Sequence, residues 1–261
     1  MASQDNDDRK AQFQESVKEM RGLLGQHGNQ PGWDLAWKQG LTPWETMLGV
    51  QVQPGLRWAC EQDNSLSKLI PKDKGKVLIP GCGRGQDVVY FATQRGLDAI
   101  GIDISTTAVQ RAREHIQQTQ EQAQESEKEA IQKHAQIVVA DYLDPEAESG
   151  PHKNALLQGA DLVYDYTFFC ALPHSLHTQW AQSHAAALKQ GGLLFCVVYP
   201  LWPADSQEPA PGPNVGPPFI VSKEKYTELL QPQFTLEFEG VPPNLAEHAK
   251  GRQEIMIWRK K

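Results

Sequence analysis

No stretch of this chain approaches the roughly 18 consecutive apolar residues that a membrane-spanning helix needs. Its opening, MASQDNDDRK, has neither an apolar signal-peptide core nor an Arg-rich transit pattern, so a cytosolic chain is the expectation. Cysteine is scarce: Cys60, Cys82, Cys170 and Cys196 lie far apart without a CxxC, which points to neither a zinc site nor a disulfide framework and predicts reduced thiols. Cys170 and Cys196 fall in apolar runs and read as core, and Cys82 reads as a small residue tolerated by a tight turn. Positive charge is in deficit, with 25 Lys and Arg against 32 Asp and Glu and a net charge of -7. The basic residues form no stripe, which argues against nucleic-acid binding. There is no GxSxG or convincing Ser, His and Asp set for hydrolysis, and His174 and His177 lack a third metal ligand and read as surface residues at a helix start. Lys189 to Gly192 reads as a helix stop before a fifth strand.

What is present is a strand, a glycine loop, a helix and a second strand between Lys76 and Ser105. The apolar run Val77 to Ile79 stops at Pro80, and Gly81, Gly83 and Gly85 let the backbone turn sharply and approach a ligand. Gln86 to Arg95 carries the apolar spacing of a helix packed on a sheet, and the next buried strand ends at Asp103, where an acid can take both hydroxyls of a ribose. The loop lacks the third glycine of GxGxxG because position 86 is Gln, which disfavours a dinucleotide pyrophosphate. Two further strands end in acidic-aromatic pairs, Asp141-Tyr142 and Asp165-Tyr166, and all these strand ends line one carboxyl edge of a parallel sheet. Such an edge suits S-adenosylmethionine better than a dinucleotide.

The 261 residues, 39% of them hydrophobic, suffice for one α/β domain. Met1 to Asp8 is polar and acidic and reads as disordered. Phe13, Val17, Met20 and Leu24 recur at helical spacing, predicting an amphipathic helix that either packs on the main domain or forms a lid over the site. Residues 1–30 are therefore separated, as tail and helix, from a domain spanning 31–261. Trp33, Trp37 and Trp44 form either a satellite apolar cluster or a cation-binding wall. Gln117 to Lys133 reads as a solvated helix extension, and the proline-rich stretch Pro200 to Pro218, with Asp205 and Glu208 solvated in it, as a loop positioned to set substrate size.

Five ordered motifs, GWxxxWxxGxTPWE from Gly32, PGCGRGQD from Pro80, GIDIS from Gly101, DYTFFCAL from Asp165 and GPPFIV from Gly216, together resemble the thiol and halide methyltransferases of the thiopurine S-methyltransferase-like family. The resemblance covers roughly Pro31 to Trp258. It implies a class I S-adenosylmethionine-dependent methyltransferase: a Rossmann-like, seven-stranded, mostly parallel sheet with helices on both faces and an antiparallel end, for which Phe234 to Gly240 and Glu254 to Trp258 fit. Carried over by position, it implies that Trp33, Trp37, Trp44, Gly81, Asp103, Asp141 and Tyr142 contact the cofactor. It also implies that Asp165 and Tyr166 face the cofactor's amino-acid end and methyl group, and that Tyr199 stands at the acceptor pocket.

The implied reaction is an in-line displacement in which a small, soft, anionic nucleophile takes the methyl group, a thiol foremost and a halide as the alternative. A thiol of pKa about 8.5 supplies some thiolate unaided, so positioning and desolvation carry most of the catalysis. Tyr166 and Tyr199 are candidates to orient the acceptor or to take a proton. The competing readings are a nicotinamide-dependent oxidoreductase and a non-catalytic cofactor-binding regulator. Oligomeric state is not legible.

Overall fold

The computed structural model describes residues 2–48, 51–62, 65–144, 146–147, 150–207, 209–243 and 245–261. In chain order the elements are α1 (Ala2–His27), α2 (Asn29–Gln39), α3 (Pro43–Leu48), α4 (Pro54–Glu61), α5 (Ser65–Leu69), β1 (Lys76–Pro80), α6 (Gln86–Gln94), β2 (Asp98–Asp103), α7 (Thr106–Gln122), α8 (Glu125–His134) and β3 (Ala135–Val139). They continue with β4 (Ala160–Tyr166), α9 (His177–Ala187), β5 (Leu188–Val198), α10 (Lys223–Leu230), β6 (Phe234–Gly240) and β7 (Glu254–Lys260).

The strands form one sheet in the order β3-β2-β1-β4-β5-β7-β6. β3, β2, β1, β4 and β5 run parallel, and β7 is inserted antiparallel between β5 and β6. Side chains alternate between two apolar layers, as the two-residue period of a strand dictates. Val77 and Ile79 of β1, Leu162 and Tyr164 of β4, and Phe195 of β5 join α4, α5, α6 and α7 on one face. Leu78, Val163, Leu194 and Cys196 join α9 and α10 on the other. Strand order reverses direction at β1 and β4, so their carboxyl ends open a crevice there.

Three local expectations change. The polar opening is helical from Ala2, where α1 continues back through Ser3, Asp5, Asn6, Asp7 and Asp8 although these are weak helix formers, because extending a formed helix costs less than starting one. The Gln/Glu-rich extension is two helices, α7 and α8, broken at Ala123. α9 stops at Ala187, and Lys189 to Gly192 belongs to β5, where the pairing with β4 jumps from Ala160–Leu188 to Leu162–Leu193. Gly191, at φ 73°, absorbs that bulge. Among the described residues, no helix is long and apolar enough to cross a membrane.

Candidate active site

The glycine loop leaves β1 through Gly81, Gly83 and Gly85, all at positive φ. Close approach as well as φ demands glycine at position 81: a Cβ there would stand 2.8 Å from the Phe168 ring. Gly83 N–H donates to Asp103 Oδ2 (3.1 Å) and Ser105 N–H to Asp103 Oδ1 (3.0 Å), so the β2 acid is oriented by the loop beside it. Burial pushes Asp103 up to about 6 against these bonds.

These strand ends and the N-terminal helices enclose a cavity of about 160 Å³. At one end stand Asp103, Ile104, Ala140, Asp141 and Tyr142; at the other stand Phe13, Val17 and Met20 of α1 with Leu172, Tyr199, Pro217 and Pro218. Trp33, Trp37 and Trp44 wall it, Trp44 meeting the other two edge-on at 5.8 and 5.7 Å. Asp34 ties this wall to the sheet, accepting from Ser105 Oγ (2.8 Å) and the Thr107 amide (3.0 Å) at the start of α7. α1 is thus both packed on the domain and part of the cavity, and Arg21 Nε donates to Pro217 O (3.0 Å) across it.

A second cavity of about 100 Å³ continues from the first past Trp44, Gly81, Gly83 and Thr167. Arg84 and Glu45 form an ion pair at its rim, with Arg84 Nη2 3.1 Å from Glu45 Oε2. Tyr166 lines this cavity, whereas Tyr199 lines the first. Burial pushes both phenols up, so at neutral pH each is a hydrogen-bond donor and not a proton acceptor.

Of the sequence-derived residues, Trp33, Trp37, Trp44, Gly81, Asp103, Asp141, Tyr142, Tyr166 and Tyr199 come together around these cavities. Asp165 does not, which corrects its expected place at the cofactor's amino-acid end. It is 1% exposed and lines neither cavity, because alternation along β4 turns it to the face opposite Tyr164 and Tyr166. There it accepts from Trp180 Nε1 (2.6 Å) and the Phe169 amide (3.2 Å), with His184 Nε2 at 3.4 Å. His184 Nδ1 lies 3.0 Å from the Tyr142 hydroxyl, so this buried chain braces a wall of the cavity. Sequence reading missed His184 and Trp180, which sit in an Ala-rich helix with no motif around them.

His177 is buried against Phe169, ring centroids 4.2 Å apart, and is not a surface residue. All four cysteines are free and buried. Burial raises Cys82 well above the usual thiol range, which suits a space-filling role in the loop. Asp205 is exposed as expected, while Glu208 lies outside the described residues.

The residues fit the cofactor that the sequence implies. Asp103 presents a fixed, buried carboxylate, the loop glycines allow close approach, and the indole wall faces the space between the two ends of the cavity.

The family model described as thiopurine S-methyltransferase matches residues 28–258. A probable thiol methyltransferase 2 of Arabidopsis thaliana is 30% identical over 96% of this chain and 94% of its own length. Thiocyanate methyltransferase 1 of Brassica oleracea is 27% identical over 93% and 91%. Among solved structures, a SAM-dependent methyltransferase from Methanosarcina mazei superposes with TM-score 0.54 at 15% identity, over 81% of this chain and 99% of that one. A TehB-like SAM-dependent methyltransferase from Corynebacterium glutamicum gives 0.53 at 15%, over 87% and 99%. The chain therefore belongs to the thiopurine S-methyltransferase family and is an S-adenosylmethionine-dependent methyltransferase.

Proposed function

We propose that the protein methylates a small, largely apolar thiol on sulfur. The observation that carries this reading is the chemistry of the acceptor end of the larger cavity. Its lining of Phe13, Val17, Met20, Cys170, Leu172, Tyr199, Pro217 and Pro218 contains, among the described residues, no carboxylate, histidine or lysine. An alcohol or amine acceptor would need a positioned base, while a thiol near pKa about 8.5 reaches its thiolate without one. The relatives named for thiol, thiocyanate and thiopurine support the same acceptor class, and none of those names supports the halide alternative.

When bound, S-adenosylmethionine supplies a methyl group on a cationic sulfur, the electrophile of an in-line displacement. In this reading Asp103 holds the ribose hydroxyls, Asp141 and Tyr142 border the base, and Gly81 lets the chain pass close by. Trp33, Trp37 and Trp44 favour a cation by about 0.5–2 kcal/mol per well-placed ring and exclude water. Tyr199 donates a hydrogen bond that orients the acceptor, and Tyr166 does so from the second cavity. The cytosolic location expected from the sequence is retained, supported by four unpaired cysteines.

The test is S-adenosylhomocysteine release from purified protein with hydrosulfide, a short alkyl thiol, an aryl thiol, a dithiol and iodide. Turnover with sulfur acceptors, fastest with the apolar ones, is expected. Preference for iodide, or cofactor binding without turnover on any acceptor, would overturn the reading in favour of a halide enzyme or a regulator.

A further inference from the structure

Helix α9 packs on the sheet with polar side chains on its inner face. Gln179, Trp180, Ser183 and His184, at i, i+1, i+4 and i+5, share that face, and Ser183 and His184 are fully buried. An apolar face would pack there without the desolvation that such groups bring, so their presence asks for a use. Two of them reach the same short segment beyond β3. Gln179 Nε2 donates to the Leu143 carbonyl (2.6 Å), and His184 Nδ1 meets the Tyr142 hydroxyl (3.0 Å). Tyr142 and Leu143 both line the larger cavity, whereas His184 lines neither. The network around Asp165 fixes the protons. Its carboxylate accepts from Trp180 Nε1 and the Phe169 amide, so His184 Nε2 donates to it as well, at 3.4 Å, and Nδ1 is left as an acceptor. Burial lowers His184 and raises Tyr142, so the imidazole is neutral and the phenol keeps its proton. Tyr142 therefore donates to His184, with its hydroxyl committed to the α9 side. Its ring meets Phe168 edge-on at 5.9 Å, and Phe168 stands 2.8 Å from where a Cβ on Gly81 would lie.

We propose that His184 is a positioning residue for the base of the cofactor: by holding the Tyr142 hydroxyl it fixes the Tyr142 ring as a surface against which the base rests. The proposal rests on the cofactor reading above, which sets Tyr142 beside the base, and deepens it. Contact between a base and an aromatic ring depends on the ring's orientation. Among the described residues His184 is the hydrogen-bond partner of the Tyr142 hydroxyl. The rest of the layer around that residue is largely apolar, with Leu143, Leu157, Phe169, Cys170 and Leu172 in the same cluster. A phenol deprived of His184 would be stranded there, at a cost of about 1–3 kcal/mol, and would turn its ring to carry the hydroxyl toward water in the cavity. Gln179 holds the next carbonyl, so α9 grips the segment at two successive residues. Asp165 acquires its part through His184: it sets the tautomer that leaves Nδ1 free to accept.

The test measures binding of S-adenosylhomocysteine and 5′-methylthioadenosine, which share the base, by titration calorimetry, together with the KM of the thiol that the wild type turns over fastest. His184→Met removes the acceptor and keeps much of the bulk. Both nucleosides should lose affinity by the same factor, about three- to tenfold, while the thiol KM at saturating S-adenosylmethionine stays within about twofold. In a Tyr142→Phe background the same substitution should add less than about twofold, because the hydroxyl that His184 serves is gone. Unchanged affinity, a loss confined to S-adenosylhomocysteine, a rise in thiol KM as large as the loss of affinity, or additive losses in the double variant would overturn the proposal and leave His184 a packing residue. Should His184→Met fail to fold, Tyr142→Phe alone decides. It should weaken both nucleosides about three- to tenfold, and wild-type affinity would overturn the proposal. Wild-type protein that binds neither nucleoside would instead defeat the cofactor reading itself.

Discussion

Asp103 and Asp165 both end strands of the parallel sheet, yet their oxygens meet different surroundings. Each Asp103 oxygen accepts one backbone N–H and the residue still lines the cavity; both Asp165 oxygens are consumed inside the protein. Asp103→Ala should therefore weaken S-adenosylhomocysteine binding about tenfold or more with little change in unfolding midpoint, measured by calorimetry and urea titration. Asp165→Ala should do the reverse. It strands the buried Trp180 N–H and His184, so stability should fall by roughly 2–4 kcal/mol, while binding per folded molecule falls less than in Asp103→Ala. The identity of both acids is legible in the sequence, but the resemblance set Asp165 beside Tyr166 at the cofactor, and the structure separates the two by the alternation along β4. What receives Asp165 is not legible, because Trp180 and His184 lie on a helix 15 and 19 residues further along.

At the scale of elements, the cavity exists because α1 and α2 are brought onto the carboxyl edge of the sheet. Asp34 is the tie for α2. Burial works to raise it, but bonds from Lys38, Thr107 and Ser105 prevail and hold it below the usual carboxylate range. Asp34→Ala should cost about 1–2 kcal/mol at neutral pH. A carboxylate held below its unfolded pKa contributes stability above that value and loses it as pH falls through the folded one. The difference in thermal midpoint between wild type and variant should thus persist down to about pH 4 and close only in stronger acid. For α1 the contact is Arg21 with the Pro217 carbonyl. Arg21→Ala should raise the acceptor KM several-fold, by about 1 kcal/mol, while cofactor affinity stays within about twofold, because α1 lines the acceptor end of the cavity. The periodicity of Phe13, Val17 and Met20 announces an apolar face but not its target. The surface it covers is assembled from residues some 150 to 200 positions away, such as Leu172, Tyr199 and Pro217.

Over the whole molecule, one sheet divides two apolar layers, and the buried acids at its open edge make the ligand-free protein sensitive to base. Asp87 and Asp103 are raised to about 7 and about 6 by burial, so the folded state binds protons that the unfolded state has released. Their contribution is fully present below about pH 4 and is lost as pH rises through those values. Asp87→Asn, which cannot ionise, should accordingly gain stability over wild type, by a margin on the order of 2 kcal/mol larger at about pH 8 than at about pH 5. Thermal unfolding of the ligand-free protein at the two pH values measures it. A margin that does not change with pH would show that Asp87 ionises freely in the folded state.

The sequence by itself determined what local physics can encode. Strand and helix periodicity, the glycine loop at Gly81 to Gly85 and the acid at Asp103 pointed to an α/β sheet with a nucleoside-binding edge, and the resemblance of five motifs implied the seven-stranded class, the cofactor and the tryptophans from Trp33 to Trp44 that the structure gathers around the cavities. Tertiary structure alone decided which face each side chain met. It set Asp165 against Trp180 and His184, brought α1 over the acceptor end, and gathered Gln53, Asp87, Tyr164 and Gln253 around one hollow. Those residues belong to segments that are remote in the chain and carry no shared motif. The pairing of β1 with β4 and of β5 with β7, and the packing of α4 and α6 beside them, make the segments neighbours.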